Sequence, residues 1–321
     1  MKKVVYVMCT NVGRSILKAH KLYHKNIIIS KVFNLNLEKG SYKSNYDNYA
    51  DLKFKENLPL KYINNINEKS VISEIKKIKP DIIIQSGWSQ KFSNEILKIP
   101  KYGCIGEHPS PIPIGRGAAS VNWAIIEGQK NWGDTFFIMN DEYDRGDIIN
   151  QKFFKIKKFD NVKTIYDKIA ILSHLTIKEK LSLWCNGKFD YLKINEKKAT
   201  YYKRRKPEDG KINFRISAIN NQKLIQAVTK PYPGAFVNLK NKKIIIWSSK
   251  IVKLSKIRIN NKNMKYIKKN VLIFNNEFFL KFSCGNYIKP IEIESSEIPL
   301  CNNKFFVNNF LIKKTKNKIL K

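Results

Sequence analysis

Histidine and cysteine are scarce in this chain, four and five residues out of 321. Cys9, Cys104, Cys185, Cys284 and Cys301 lie far apart, with no CxxC or CxxxH spacing. That pattern argues against a zinc site and against a disulfide framework, and it reads as buried, reduced thiols. Cys9 ends the first apolar run, where simple packing is a plainer role than reactivity. Long apolar runs are also missing. Stretches such as residues 25–32 and 244–247 have strand length, far short of the roughly 18 residues that a membrane span needs. The opening MKKVVYVMC has a basic start, but its apolar run is too short for a signal peptide and no small-residue cleavage site follows. The expectation is a cytoplasmic protein with no membrane partner.

Acid is the third shortage: 26 Asp and Glu stand against 61 Lys and Arg, a formal net charge of +35. Such a balance by itself suggests nucleic acid, because basic surfaces release counterions from phosphates. Lysine supplies almost all of it, however, and is spread evenly along a chain also rich in Asn and Ile. These three residues share adenine- and uracil-rich codons, so a biased genome accounts for the charge, and the lysine coat would draw small anions inward. Arginine, the better phosphate fork, is limited to positions 14, 116, 145, 204, 205, 215 and 258.

What is present is a globular chain, 43% hydrophobic and long enough for two domains. Its first half alternates short apolar runs with helical patterns, the signature of parallel βαβ units. Strands are predicted at residues 3–9, 26–34, 81–85, 102–105, 135–139 and 147–154, and helices at 11–24, 67–78 with Asn67 as N-cap, 94–97, 118–127 and 162–184. A polar stretch, residues 199–214, reads as a linker between a domain over 1–198 and a second over 215–321. In the second, one helix at 218–228 precedes strands at 235–239, 243–247, 271–274, 278–282 and 291–294, the regular spacing of a small barrel. The lysine-rich tail after Asn309 is expected to fray.

The most distinctive segment, residues 103–147, reads GCIGEHPSPIPIGRGAASVNWAIIEGQKNWGDTFFIMNDEYDRGD. His108 follows an apolar strand, where an α/β sheet opens its ligand crevice. Pro109, Pro111 and Pro113 stiffen the next loop and remove N–H donors, leaving carbonyls for a planar heterocycle or simply making a rigid turn. Gly115, Arg116 and Gly117 precede a helix N-terminus, an arrangement suited to an anion. Asp144 sits in a turn, where aspartate commonly serves backbone geometry. Beside an imidazole, the same carboxylate would orient the ring for acid–base work on an amine.

Together these residues resemble the formyltransferase family that uses N10-formyltetrahydrofolate, whose pattern is Asn-x-His-(Pro/Gly)-Ser-x-x-Pro, then Arg-Gly, a helix with Trp, and Leu-Asp-x-Gly-Asp-Ile. Here it becomes Gly106-Glu107-His108-Pro109-Ser110, Pro113, Arg116-Gly117, Asn122-Trp123 and Tyr143-Asp144-Arg145-Gly146-Asp147-Ile148. Arg204 to Gly210, Pro231 to Phe236 and Ile246 to Ser249 resemble the linker and small OB-like barrel of enzymes that formylate nucleotide-linked 4-amino sugars, a barrel type shared with methionyl-tRNA enzymes.

The resemblance implies a Rossmann-like α/β domain with a mostly parallel sheet, followed by a small β-barrel. It implies His108 and Asp144 as catalytic residues, with N10-formyltetrahydrofolate as co-substrate and no metal. Ser110, Pro111, Ile112 and Pro113, with Asn140, Asp141, Glu142 and Tyr143, would line the folate. Arg14 in the loop TNVGRS, Arg116 and Asn122 are candidates for substrate contact. Where the family has its catalytic asparagine this chain has Gly106, so a water, a backbone N–H or Asn122 would have to hold the formyl oxygen, or turnover would be weakened or lost. Formylation of a nucleotide-linked amino sugar is the leading function. Methionyl-tRNA formylation, with a nucleic-acid partner, and folate or sugar-nucleotide binding without turnover stay open. A homodimer is compatible with any of these.

Overall fold

Isoleucine and valine dominate the first strands because a parallel sheet covered on both faces leaves them no solvent side. In the computed structural model, which describes residues 1–41, 43–239, 241–253 and 264–312, β1 (Lys2–Met8), β2 (Ile27–Leu35), β3 (Leu60–Ile63), β4 (Ile82–Ser86) and β5 (Cys104–His108) run parallel. A two-residue strand, β6 (Arg116–Gly117), follows the proline loop. Then β7 (Asn131–Ile138) and β8 (Ile148–Lys155) extend the sheet antiparallel, giving the order β3-β2-β1-β4-β5-β7-β8. The order reverses direction between β1 and β4, and His108 ends β5, one strand further on. β9 (Tyr201–Tyr202) pairs in parallel with β6.

The helices of this half are α1 (Asn11–Tyr23), α2 (Leu37–Gly40), α3 (Ala50–Glu56), α4 (Lys69–Ile78), α5 (Asn94–Leu97), α6 (Ser120–Glu127) and α7 (Val162–Trp184). Thr10 caps α1 by accepting from Gly13 N. The core between sheet and helices includes Val5, Phe33, Ile75, Ile83 and Phe92. No helix among the described residues is long and apolar enough to cross a membrane.

The chain divides into two compact units. One holds Met1–Val121, Gln129–Lys158 and Thr164–Arg204; the other holds Asn122–Gly128, Phe159–Lys163 and the chain from Arg205 onward. In the second unit α8 (Ala218–Val228) accompanies an antiparallel sheet. Its strands are β10 (Ala235–Leu239), β11 (Lys242–Lys253), β12 (Met264–Lys268), β13 (Val271–Phe274), β14 (Glu277–Lys281), β15 (Asn286–Ser295) and the short β16 (Cys301–Asn302), and α9 (Asn303–Phe306) follows. The order β10-β11-β15-β14-β13-β12, with β16 on β15, makes a half-barrel. Register shifts around Ser248 let the twelve-residue β11 bend from one neighbour to the other.

Several expectations are corrected. Asn67 does not cap α4: its side chain accepts from Ser93 N and donates to Lys91 O, stitching two loops, while Glu68 holds the cap position. The cysteines are all free, but Cys284 is exposed and Cys301 half-buried, so only Cys9, Cys104 and Cys185 fit the buried class. The tail does not fray directly after Asn309, since Phe310 and Leu311 are buried and Phe310 stacks on Phe306. Residues 313–321 lie outside the described residues. β3, β6, β9, β12 and β16 carry no strand signal in the sequence, because each is short or carries no regular apolar alternation.

Candidate active site

His108 reaches its place because β5 is buried along its whole length and ends there. The chain then turns through the proline loop, where Ser110 N bonds back to His108 O at 2.8 Å and the Ile112–Pro113 peptide is cis. The imidazole is 8% exposed. Its Nε2 lies 2.8 Å from Gly115 O and its Nδ1 lies 3.5 Å from Asp144 Oδ1. Both ring nitrogens thus face oxygen acceptors.

Asp144 stands at φ 55°, a left-handed conformation that aspartate tolerates better than most residues. Three contacts define its turn. Arg116 Nε donates to Asp144 O at 2.7 Å, Gly117 N donates to Asp144 Oδ2 at 2.8 Å, and Oδ1 is left facing His108. Gly117 has to be glycine, because it has φ 88° and a Cβ there would collide with Tyr202 O.

Arg116 was singled out as an anion ligand in front of a helix. The structure commits its guanidinium elsewhere: Nη1 and Nη2 bind Glu196 Oε2 and Oε1, each at 2.7 Å, and Nη1 also meets Tyr201 Oη at 3.0 Å. The Arg116 side chain is fully buried, and the guanidinium holds the Glu196 carboxyl low. On the other side Arg145 Nε donates to Tyr201 Oη at 2.9 Å, and Arg145, with Arg116 behind it, depresses the Tyr201 phenol. Glu196 and Tyr201 support the site yet carry no sequence signal, because they lie some 80 residues from Arg116, Glu196 near the end of the first predicted domain and Tyr201 in the polar stretch read as a linker.

The remaining expected residues fall as follows. In the loop 110–113 the carbonyls already accept protein donors: Ser110 O from Thr135 Oγ1, Pro111 O from Ile114 N, Ile112 O from Gln151 Nε2 and Pro113 O from Thr200 N. Each keeps its second lone pair, and the buried Ser110 Oγ has no hydrogen-bond partner. In the turn 140–143, Asn140 Oδ1 accepts from Glu142 N, Glu142 pairs with Arg145, and the Tyr143 ring is 60% exposed. An orphaned hydroxyl and an open aromatic ring suit a flat, polar heterocycle.

Arg14 and Asn122 are occupied. Arg14 makes four hydrogen bonds to Asp47 and Asp51, between 2.6 and 2.9 Å. Asn122, in the second unit, donates to Ala227 O at 2.6 Å, while its buried Oδ1 has no partner. At Gly106, a Cβ would sit 2.6 Å from Phe137 Cζ and 3.2 Å from Met139 Cγ. The Phe137 ring fills the space that an asparagine side chain would need.

Comparison with known proteins adds an independent line. A formyl transferase model matches residues 7–181, more than half of the chain, and a model of the formyl transferase C-terminal domain matches residues 204–288. The bifunctional polymyxin resistance protein ArnA of Wigglesworthia glossinidia brevipalpis is 39% identical over 197 residues, 61% of this chain and 30% of that relative. The methionyl-tRNA formyltransferase of Caldanaerobacter subterraneus subsp. tengcongensis is 33% identical over 186 residues, 58% of this chain and 60% of that relative. The chain therefore spans a third to less than two thirds of these relatives. Among solved structures, the N-formyltransferase from Helicobacter canadensis, in complex with folinic acid and dTDP-3-aminofucose, superposes with a TM-score of 0.66 at 17% identity, covering 90% of this chain and 99% of that one. On the family models and the motif geometry together, this chain belongs to the formyl transferase family.

Proposed function

We propose that this protein transfers the formyl group of N10-formyltetrahydrofolate to the primary amine of a nucleotide-linked amino sugar. The observation that carries the reading is the apposition of His108 and Asp144 at 3.5 Å, at the end of β5, in a chain of this family. The sugar half is supported by the Helicobacter canadensis neighbour, which matches nearly the full length of both chains and binds a dTDP-linked amino sugar together with a folate.

The bound folate would supply an electrophilic formyl carbon and a nitrogen leaving group. His108 Nδ1 lies 3.5 Å from Asp144 Oδ1, longer than a tight hydrogen bond, so a proton carried there would be free to meet negative charge building on the formyl oxygen. Asp144 Oδ1 takes the proton released by the attacking amine and returns it to the departing nitrogen, so one N–C bond forms, one breaks and no net proton is consumed. Arg116 and Gly117 N keep that carboxylate aimed while its charge changes. Ser110 to Pro113 and Asn140 to Tyr143 would border the folate ring. With Phe137 in the asparagine's place, the oxyanion depends on His108 and backbone donors.

A second reading, methionyl-tRNA formylation, is favoured by the 33% identical relative of that name and by the net charge of +35. Tetrahydrofolate release, followed optically with N10-formyltetrahydrofolate and a panel of UDP- and dTDP-linked amino sugars beside charged initiator tRNA, separates the two. Turnover with a sugar that disappears in His108→Ala supports the proposal. Turnover with tRNA alone, falling steeply with salt, moves the assignment to translation.

A further inference from the structure

The face of β5 turned away from His108 holds a second titratable pair, and among the described residues no lysine or arginine forms an ion pair with it. Glu107 lies between Gly106 and His108, so its side chain leaves the strand on the opposite face. In the antiparallel register Glu107 stands opposite Phe136, which makes Asp134, two residues back on β7, its diagonal neighbour on that face. Both side chains are buried, and their carboxyls are within hydrogen-bond reach of each other.

Each acid has one oxygen satisfied by a serine. Ser86 Oγ from β4 donates to Glu107 Oε2 at 2.6 Å, and Ser173 Oγ from α7 donates to Asp134 Oδ2 at 2.5 Å. The other two oxygens, Glu107 Oε1 and Asp134 Oδ1, are buried without an N–H or O–H donor. A proton held between them satisfies both at once. Two neighbouring carboxyls in a low dielectric resist ionising together, so the pair retains at least one proton. Burial pushes both acids up, and Glu107 pushes Asp134 further. His108 and Asp144 also act on Glu107, the first lowering and the second raising it; β4 and α7 present the uncharged Ser86 and Ser173.

We propose that Glu107 and Asp134 form a one-proton acid pair that positions His108: it ties the end of β5 to β4, β7 and α7, and its single negative charge favours the doubly protonated imidazole. The pair is a positioning device, since it lies behind the strand and touches no reacting atom. Its importance rests on the reading of His108 as the reacting imidazole, but the tests below are read on His108 and on the acids themselves, without turnover.

The full-length protein is titrated by NMR on the His108 ring resonance, identified as the one missing in His108→Ala. Glu107→Gln and Asp134→Asn each keep one negative charge and an amide hydrogen bond in the proton's place, so each is expected to titrate within a few tenths of a pH unit of wild type. The double variant Glu107→Gln/Asp134→Asn keeps the shape and removes the charge, and its midpoint is expected to fall by roughly one pH unit, the effect of a charge across one strand at an effective dielectric near 20. A double variant that titrates with the singles overturns the proposal. Should the double variant not fold, infrared difference spectra decide: wild type at neutral pH is expected to show a protonated-carboxyl band that Glu107→Gln lacks, and its absence from wild type overturns the proposal. A shifted midpoint in a protein that transfers no formyl group would support the acid pair and remove the catalytic reading of His108 instead.

Discussion

After β1 and after β5 the chain sets an arginine beside aspartate, Arg14 in the first turn of α1 and Arg116 in β6, with opposite results. Arg14 spends its guanidinium on the carboxylates of Asp47 and Asp51, so its positive charge is fully engaged. Arg116 gives Asp144 only a bond to the main-chain oxygen and turns its fork to Glu196, which leaves the Asp144 carboxylate to Gly117 N and His108. The first arrangement is a closed ionic knot of structural value. The second aims a charge without quenching it, and acid–base chemistry needs that condition.

Removing the aimed groups should have the largest effect. His108→Ala and Asp144→Asn are each expected to cut kcat about 100-fold to 10,000-fold with the folded state intact, measured as formyl transfer beside circular dichroism. Removing the aim should cost less: Arg116→Ala frees the Asp144 turn and leaves Glu196 unpaired, for an expected loss of about tenfold to 100-fold in kcat. Arg116→Lys should not rescue it, because an ammonium cannot serve Asp144 O and both Glu196 oxygens together. An unchanged kcat in Arg116→Ala would remove the distinction between the two arginines.

Gly106→Asn tests the position where this chain departs from its family. It is expected to lose about 1 to 3 kcal/mol of stability and gain no activity, because the Phe137 ring occupies the space. In a Phe137→Ala background the same change should raise kcat at least about tenfold, by supplying the missing donor. At the closed knot, Arg14→Ala should lower stability by about 1 kcal/mol in urea unfolding and leave the KM for the sugar nucleotide unchanged. A raised KM would put Arg14 in contact with substrate after all.

The proposed acid pair behind β5 adds a pH dependence to stability. Both acids are raised in the folded state, so the stability they contribute is complete below the unfolded value near 4 and is lost as pH rises through the folded values. The Tm of wild type should therefore fall, relative to Glu107→Gln/Asp134→Asn, as pH rises from about 5 to 9.

The alternation of β-branched runs and amphipathic segments was enough to place the parallel strands, and α7 runs over the same residues as its sequence pattern. Residues 103–147 were legible as a reaction segment because histidine, prolines, glycines and aspartate fall at fixed offsets within one stretch. Long-range pairings were not legible. Nothing local marks Glu196 as the partner of Arg116, Asp51 as the partner of Arg14, or Phe137 as the occupant of the asparagine's space. Glu107 and Asp134 were opaque for a further reason: each looks like an ordinary solvated charge until the strand register places both on a buried face.

On the proposed reading, an unquenched His108–Asp144 pair transfers a formyl group. The most direct measurement is single-turnover formyl transfer to an accepted amino-sugar nucleotide, at saturating N10-formyltetrahydrofolate, in wild type and in Asp144→Asn. Folate affinity in each protein is measured by fluorescence titration. Equal folate binding is expected in the two proteins, with a chemical step slowed at least about 100-fold in the variant. Equal binding with an undiminished chemical step would contradict it.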